Sequence, residues 1–114
     1  KMPFINTKTS IEITKEQELL LKEKMGTAIR HIGKSESWLM LNFDDNCRMY
    51  FKGDNKEPMA MVEIALFGKA SDSQYDALTE ELTKEIATIL DIAPSNIYIK
   101  YDEVKHWGYN GFNF

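Results

Sequence analysis

Two helix starts built on the same four-residue device, each set between strand-like segments, constrain this chain more than any other feature. Thr14-Lys15-Glu16-Gln17 and Ser71-Asp72-Ser73-Gln74 are both capping boxes. In each, a hydroxyl at the N-cap accepts from the N3 amide while the N3 glutamine reaches back to the cap. After the first box, Leu21, Met25, Ala28, Ile29 and Ile32 recur on one helical face, and Gly33 stands where a left-handed residue would end the helix. After the second, Tyr75, Leu78, Leu82, Ile86 and Ile89 form the stripe, and Pro94 is the expected stop. Four segments rich in β-branched or aromatic residues flank them: Phe4 to Ile11, Trp38 to Phe43, Met59 to Phe67 and Ile97 to Tyr101.

The order strand–helix–strand therefore occurs twice, with similar spacing. Each unit lays its two strands parallel and its helix on one face. Two units predict an α+β, two-layer βαββαβ fold: a four-stranded sheet with both helices on the same side. The opposite face would be bare and, with such apolar strands, would call for a cover, for which a symmetric partner is the simplest candidate. The tail adds to this. Tyr98, Tyr101, Trp107, Tyr109, Phe112 and Phe114 crowd the end of the chain, and Asn110-Gly111 predicts a tight turn that folds the tail into a hairpin. Packing on its own subunit and packing on a neighbour are both open at this point.

At 114 residues the chain is one domain's worth, expected to span 3–114, and its core can bury roughly two-thirds of the surface the unfolded chain exposes. A formal net charge of −4 argues against nucleic acid as a partner, because binding to phosphates needs surplus Lys and Arg. The missing aromatic RNP octapeptide also counts against an RNA-binding ferredoxin-like domain, which shares this element order. No apolar run is long enough to span a bilayer, so no membrane association is expected. One cysteine, Cys47, excludes an intramolecular disulfide, and it reads as an incidental thiol in a turn after Asp44-Asp45-Asn46. His31, expected at the surface, and His106 are too few and too separated for a metal site. No leader-like segment is visible, which predicts a cytoplasmic protein, with secretion without a signal peptide as the alternative. Lys1 reads as an expression remnant and Met2 as the initiator, so the mature chain is expected to begin at Pro3. On residue physics alone Pro3 merely opens an edge strand, where its missing N–H does no harm.

Several short motifs occur together in order. They are Pro3, Gly33-Lys34 after the first helix, Met49-Tyr50-Phe51-Lys52-Gly53 leading to Glu57-Pro58, Ile97-Tyr98-Ile99, and the ending Trp107-Gly108-Tyr109-Asn110-Gly111-Phe112-Asn113-Phe114. In this combination, from Pro3 to Phe114, the chain resembles the macrophage migration inhibitory factor family of the tautomerase superfamily. The resemblance implies a homotrimer whose sheets surround a central channel, with pockets at subunit boundaries and the N-terminal proline as catalytic base. It puts Pro3 at the catalytic position and Lys34 at the pocket lysine. Trp38 and Phe67 would line the pocket, Tyr98 would enter it from the adjacent subunit, and Tyr109 and Phe114 would stand at its rim. Lys100 replaces the asparagine usual in the animal proteins and is counted with the substrate-binding residues. Met59-Ala60-Met61-Val62 stands where the best-known animal members carry Cys-x-x-Cys, so their suggested thiol-redox activity does not transfer.

The chemistry follows from the residue types. A proline with a free nitrogen is a secondary amine that can take a proton from carbon beside a carbonyl and return it elsewhere, which is keto–enol tautomerisation. Burial against Phe67, Trp38 and Tyr98, together with cationic Lys34, would disfavour the ammonium and lower its pKa toward the working range of a base. Lys34 would also hold a substrate carboxylate or developing enolate, and Tyr98 could hydrogen-bond that oxygen or pack on an aryl ring. Lys100, if it points inward, would favour doubly anionic substrates. The expected activity is that of an isomerase of the phenylpyruvate or dopachrome tautomerase type, acting on small aromatic or α-keto acids without cofactor or metal. With Met2 attached the Pro3 nitrogen is an amide and the activity should vanish. The alternative is a cytokine-like or other protein-binding homologue with vestigial catalysis.

Overall fold

A computed structural model describes residues 2–114, and the reading of Lys1 lies outside the described residues. The elements run β1 (Pro3–Thr9), α1 (Lys15–Ala28), β2 (Met40–Asp44), β3 (Ala60–Phe67), α2 (Asp72–Leu90), β4 (Ile97–Val104), β5 (Gly108–Tyr109) and β6 (Phe112–Asn113). The main sheet has the order β2-β1-β3-β4. β1 is parallel to β2 and β3 is parallel to β4, while β1 and β3 run antiparallel at the centre. The two strand–helix–strand units thus join through their first strands into one mixed sheet.

Both capping boxes form with both of their reciprocal hydrogen bonds. α1 continues as a 3₁₀ turn, Ile29–Ile32, and ends at Gly33, whose φ of 73° is the left-handed conformation expected of it. The second helix departs from expectation. It ends at Asp91, left-handed at φ 56°, and Pro94 instead opens a short 3₁₀ turn before β4. Aspartate tolerates that region because its short side chain can bond locally. Leu90 joins Leu78, Leu82 and Ile86 in the core, while Ile89 is only half-buried.

Ile5, Val62, Ile64 and Leu66 alternate toward the helices and are fully buried with Leu21, Met25, Ile29, Leu78, Leu82 and Ile86. One core between sheet and helices is the result. His31, expected at the surface, keeps 29% of its side chain exposed and bonds α2 from there, with Nε2 2.6 Å from Glu81 Oε1.

The open face of the sheet also departs from expectation, because it is not uniformly apolar. Asn42, Asn6, Glu63 and Lys100 lie in register across all four strands. Asn42 Nδ2 donates to Asn6 Oδ1 at 2.8 Å, and Asn6 Nδ2 donates to Glu63 Oε1 at 3.3 Å. Glu63 also pairs with Lys8 at 3.2 Å and Lys100 at 3.5 Å. The hydrogen bond from Lys8 holds the Glu63 carboxyl below its usual range, assisted by Asn6 and the charge of Lys100 against a smaller opposing effect of burial. A polar band therefore crosses the middle of a face whose ends carry Phe4, Met40, Met61, Phe67 and Tyr98.

Candidate active site

β1 lies inside the sheet, not at its edge, and Pro3 is tolerated there as the first residue of the strand, opposite Leu66. Pro3 is buried. It borders a cleft of about 800 Å³ whose walls include Met2, Trp38, Leu39, Trp107 and Tyr109. None of these five side chains carries a formal charge at neutral pH.

Trp38 reaches the cleft from a 3₁₀ turn, Glu36–Trp38, rather than from a strand as its aromatic neighbourhood suggested. Ser35 forms that turn by accepting the Ser37 N–H at 3.1 Å, and β2 begins only at Met40. The tail folds as expected. Asn110 and Gly111 take φ of 53° and 84°, and Tyr109 pairs with Phe112 across the turn. Phe114 N–H donates to the Trp107 carbonyl at 3.0 Å.

That hairpin packs on its own subunit through aromatic edges and faces. Trp38 meets Tyr109 edge-on at 5.1 Å between centroids, Tyr109 stacks on Phe114 at 6.3 Å, and Phe114 contacts Phe67 at 5.6 Å. Such pairs hold their geometry as well as burying area. Phe112 faces away and is 77% exposed.

Lys34, half-buried, follows the left-handed Gly33 and donates its Nζ to the Phe67 carbonyl at 3.0 Å. The amide of the same Phe67 donates to the Met2 carbonyl at 3.1 Å. One residue at the end of β3 therefore ties the lysine to the segment that carries Pro3.

Within one chain, Pro3, Lys34, Trp38, Phe67, Tyr109 and Phe114 share the same end of the molecule. Tyr98 and Lys100 do not join them. Tyr98 pairs with Met61, five residues along β3 from the Leu66 that faces Pro3, or about 17 Å at strand spacing. It meets Phe51 edge-on at 4.9 Å and is 59% exposed. Lys100 points onto the open face and lies 3.5 Å from both Glu63 and Asp102, so two carboxylates already balance its charge.

Leu39 and Met2 were not singled out as cleft residues from the sequence, and Trp107 appeared only as part of the aromatic tail. Clustering of that tail was the available signal for Trp107; nothing in the sequence marked the other two. A smaller cleft of about 390 Å³ lies beneath the β2–β3 loop beside Cys47, Arg48 and Lys56. Cys47 is anchored there by its own amide, which donates to the Thr9 carbonyl at 2.9 Å. Among the described residues, no helix is long and apolar enough to cross a membrane.

The element order, the central antiparallel pair and the proline-floored aromatic cleft define a class of small α+β proteins whose first strand opens on the site. The sequence profile described as macrophage migration inhibitory factor (MIF) matches residues 2–114. The chain belongs to that family. It is 24% identical over 115 residues to a macrophage migration inhibitory factor homolog of Brugia malayi, covering 99% of each chain. The crystal structure of Leishmania major MIF2 superposes with a TM-score of 0.92 at 30% identity, covering 99% of this chain and 97% of that one. A homologue from Prochlorococcus marinus gives a TM-score of 0.87 at 29% identity, over 97% and 98% of the two chains.

Proposed function

We propose that the chain acts as a cofactor-free keto–enol tautomerase on small aryl α-keto acids of the phenylpyruvate type, with Pro3 as the base once its nitrogen is free. One observation carries the reading: a buried proline opens the strand at the floor of an aromatic cleft, with a lysine ammonium bonded to the backbone beside it. The neutral amine takes a proton from the carbon beside the ketone. The enolate oxygen gains negative charge, and the proton returns to that oxygen. Lys34 supplies positive charge for the carboxylate or enolate, and the aromatic walls take the aryl ring.

The same reading makes the working unit a homotrimer. Tyr98 and the Pro3 cleft lie at opposite ends of one sheet, so a tyrosine serving the cleft comes from a second copy. Two different patches meeting head to tail close into a ring rather than a two-fold dimer. With Lys100 balanced by Glu63 and Asp102, the substrate favoured is a monoanion, not the dianion the sequence suggested.

The test is keto–enol conversion of phenylpyruvate by the chain beginning at Pro3, beside the same chain carrying Pro3→Gly. Loss of activity in the variant supports the base.

A further inference from the structure

The loop joining β2 to β3, residues 45–59, arches over the far end of β1 and is tied down on both sides. On one side the amides of Asn46 and Cys47 donate to the carbonyls of Ile11 and Thr9 at 3.1 and 2.9 Å. On the other, Ser10 N–H donates to the Met59 carbonyl at 3.1 Å, and Met59 N–H donates back to Ser10 Oγ at 3.0 Å. Between the ties lies the cleft of about 390 Å³, within the roughly 300–1,000 Å³ usual for small-molecule sites. Thr9 stands six residues along β1 from Pro3, about 20 Å at strand spacing, so this cleft is separate from the aromatic one.

Its charge is one-sided. Arg48 and Lys56 both line it, and among the described residues neither pairs with a carboxylate. The acids of the loop and its entrance are directed elsewhere. Asp44 ends β2 opposite Lys8 and does not line the cleft. Asp45 Oδ2 accepts the Ile13 N–H at 2.9 Å, and Asp54 Oδ1 accepts the Lys56 N–H at 3.1 Å. Glu57 borders the cleft, but its Oε1 accepts from Asn96 Nδ2 at 3.4 Å, and Asn96 lines a neighbouring cleft and not this one. A chain with a formal net charge of −4 thus gathers two unpaired cations at one hollow. Ser10 Oγ, an acceptor for Met59, keeps its O–H as a donor beside them. Ile11, Met49 and Pro58 supply the apolar wall.

We infer that this cleft binds a phosphomonoester carried on a single small ring. The Arg48 guanidinium offers a planar fork of donors and the Lys56 ammonium a point charge, and together they match a phosphate dianion. A carboxylate, with one charge, would leave one of the two cations unmatched. The apolar wall takes the ring. Because both ends of the loop are tied, the cleft exists before the ligand arrives, and little ordering accompanies binding. The inference goes beyond the proposed function and needs neither Pro3 nor Lys34.

Calorimetry of the full chain with phenyl phosphate at about pH 8, where the ester is a dianion, tests it. One-to-one binding at about 1 mM or tighter is expected, with inorganic phosphate weaker. Arg48→Gln and Lys56→Gln should each weaken binding by about tenfold or more, as the loss of a charge-assisted hydrogen bond does. Lys52→Gln removes the same charge from the same loop, but Lys52 Nζ sits 5.2 Å from the Phe51 ring centre and does not line the cleft. That variant should change the affinity by less than about twofold, because solvent and salt screen a charge that makes no contact. Cys47 lines the cleft and is the chain's one cysteine, so bound phenyl phosphate should slow its alkylation by iodoacetamide. The absence of saturable binding overturns the inference. So does an equal loss in Lys52→Gln, which would mean that loop charge alone attracts the ester. Loss in Lys34→Gln with none in Arg48→Gln puts the ester in the Pro3 cleft and overturns it too. Binding that leaves the Cys47 rate unchanged overturns the location, and inorganic phosphate binding as tightly as phenyl phosphate overturns the ring.

Discussion

The ammonium of Lys34 donates to the backbone carbonyl of Phe67 at 3.0 Å, and this bond fixes a cation at the end of β3 that faces Pro3. A lysine on a free helix end samples many rotamers, and the carbonyl removes much of that freedom before any ligand arrives. The bond uses one of three donors and leaves two. Removing the side chain with Lys34→Ala should lower kcat/KM for phenylpyruvate by about 10–100-fold, as expected of a charge-assisted hydrogen bond of roughly 1.5–3 kcal/mol. The effect should fall mainly on KM. Steady-state kinetics on the Pro3-initiated chain measure it, and an unchanged KM would remove Lys34 from the site.

Tyr98 lies about 17 Å along the strands from the Pro3 position of its own chain, which makes subunit complementation a direct check on a shared pocket. Pro3→Gly and Tyr98→Ala chains, each impaired alone, should regain activity when unfolded together and refolded. Random assembly in equal amounts places an intact Pro3 beside an intact Tyr98 in about one quarter of the sites. The solution mass should be close to three 13.2 kDa chains. A monomeric mass, or no recovery on mixing, would contradict the shared pocket.

Glu63 couples the polar band of the open face to pH. Its carboxyl titrates below the usual range in the fold, chiefly because Lys8 hydrogen-bonds to it. The unfolded chain therefore takes up the proton first as pH falls. The stabilisation is complete above the ordinary carboxylate value of 4.5 and is lost as pH falls through the lower folded value. Glu63→Gln should flatten the acid limb of the stability curve in urea unfolding between about pH 3 and pH 6. Identical limbs for the two proteins would show that Glu63 is not coupled to folding.

Gly26 sits inside α1, where glycine costs about 0.5–1 kcal/mol relative to alanine. The nearest atoms an added Cβ there would meet belong to the carboxylate of Glu36, the far end of an exposed side chain whose ion pair with Lys22 spans 4.0 Å. That carboxylate can swing aside with little lost. Gly26→Ala is expected to stabilise the fold by about 0.5–1 kcal/mol in urea unfolding. A lower midpoint would mean that the Glu36 turn, which carries Trp38, depends on close approach to the helix.

Legibility of the fold came from local chemistry that acts over four residues or fewer. The boxes at Thr14 and Ser71, the left-handed Gly33 and the Asn110-Gly111 turn all formed, because each is satisfied by neighbours in sequence. What stayed hidden depended on distant partners. His31 found Glu81 fifty residues away, and Asn6 found Asn42 and Glu63 on adjacent strands. Trp38 read as strand because aromatic and apolar residues follow it, yet the Ser35 side chain turned the segment first. For the site, the aromatic tail was visible as composition, whereas its contacts with Trp38 and Phe67 required the fold to bring together residues 71 and 47 positions apart. The seat of Met2 had no sequence signature, since a methionine before a proline says nothing about what surrounds it.

The central claim is that a free nitrogen at Pro3 is the base, and phenylpyruvate keto–enol conversion followed by absorbance tests it most directly. Intact mass would verify the N-terminus of each sample. The Pro3-initiated chain should be active, and Pro3→Gly and the full chain retaining Met2 should each fall by about 100-fold or more, the usual worth of a positioned base. Full activity in the chain that still carries Met2 would contradict the account.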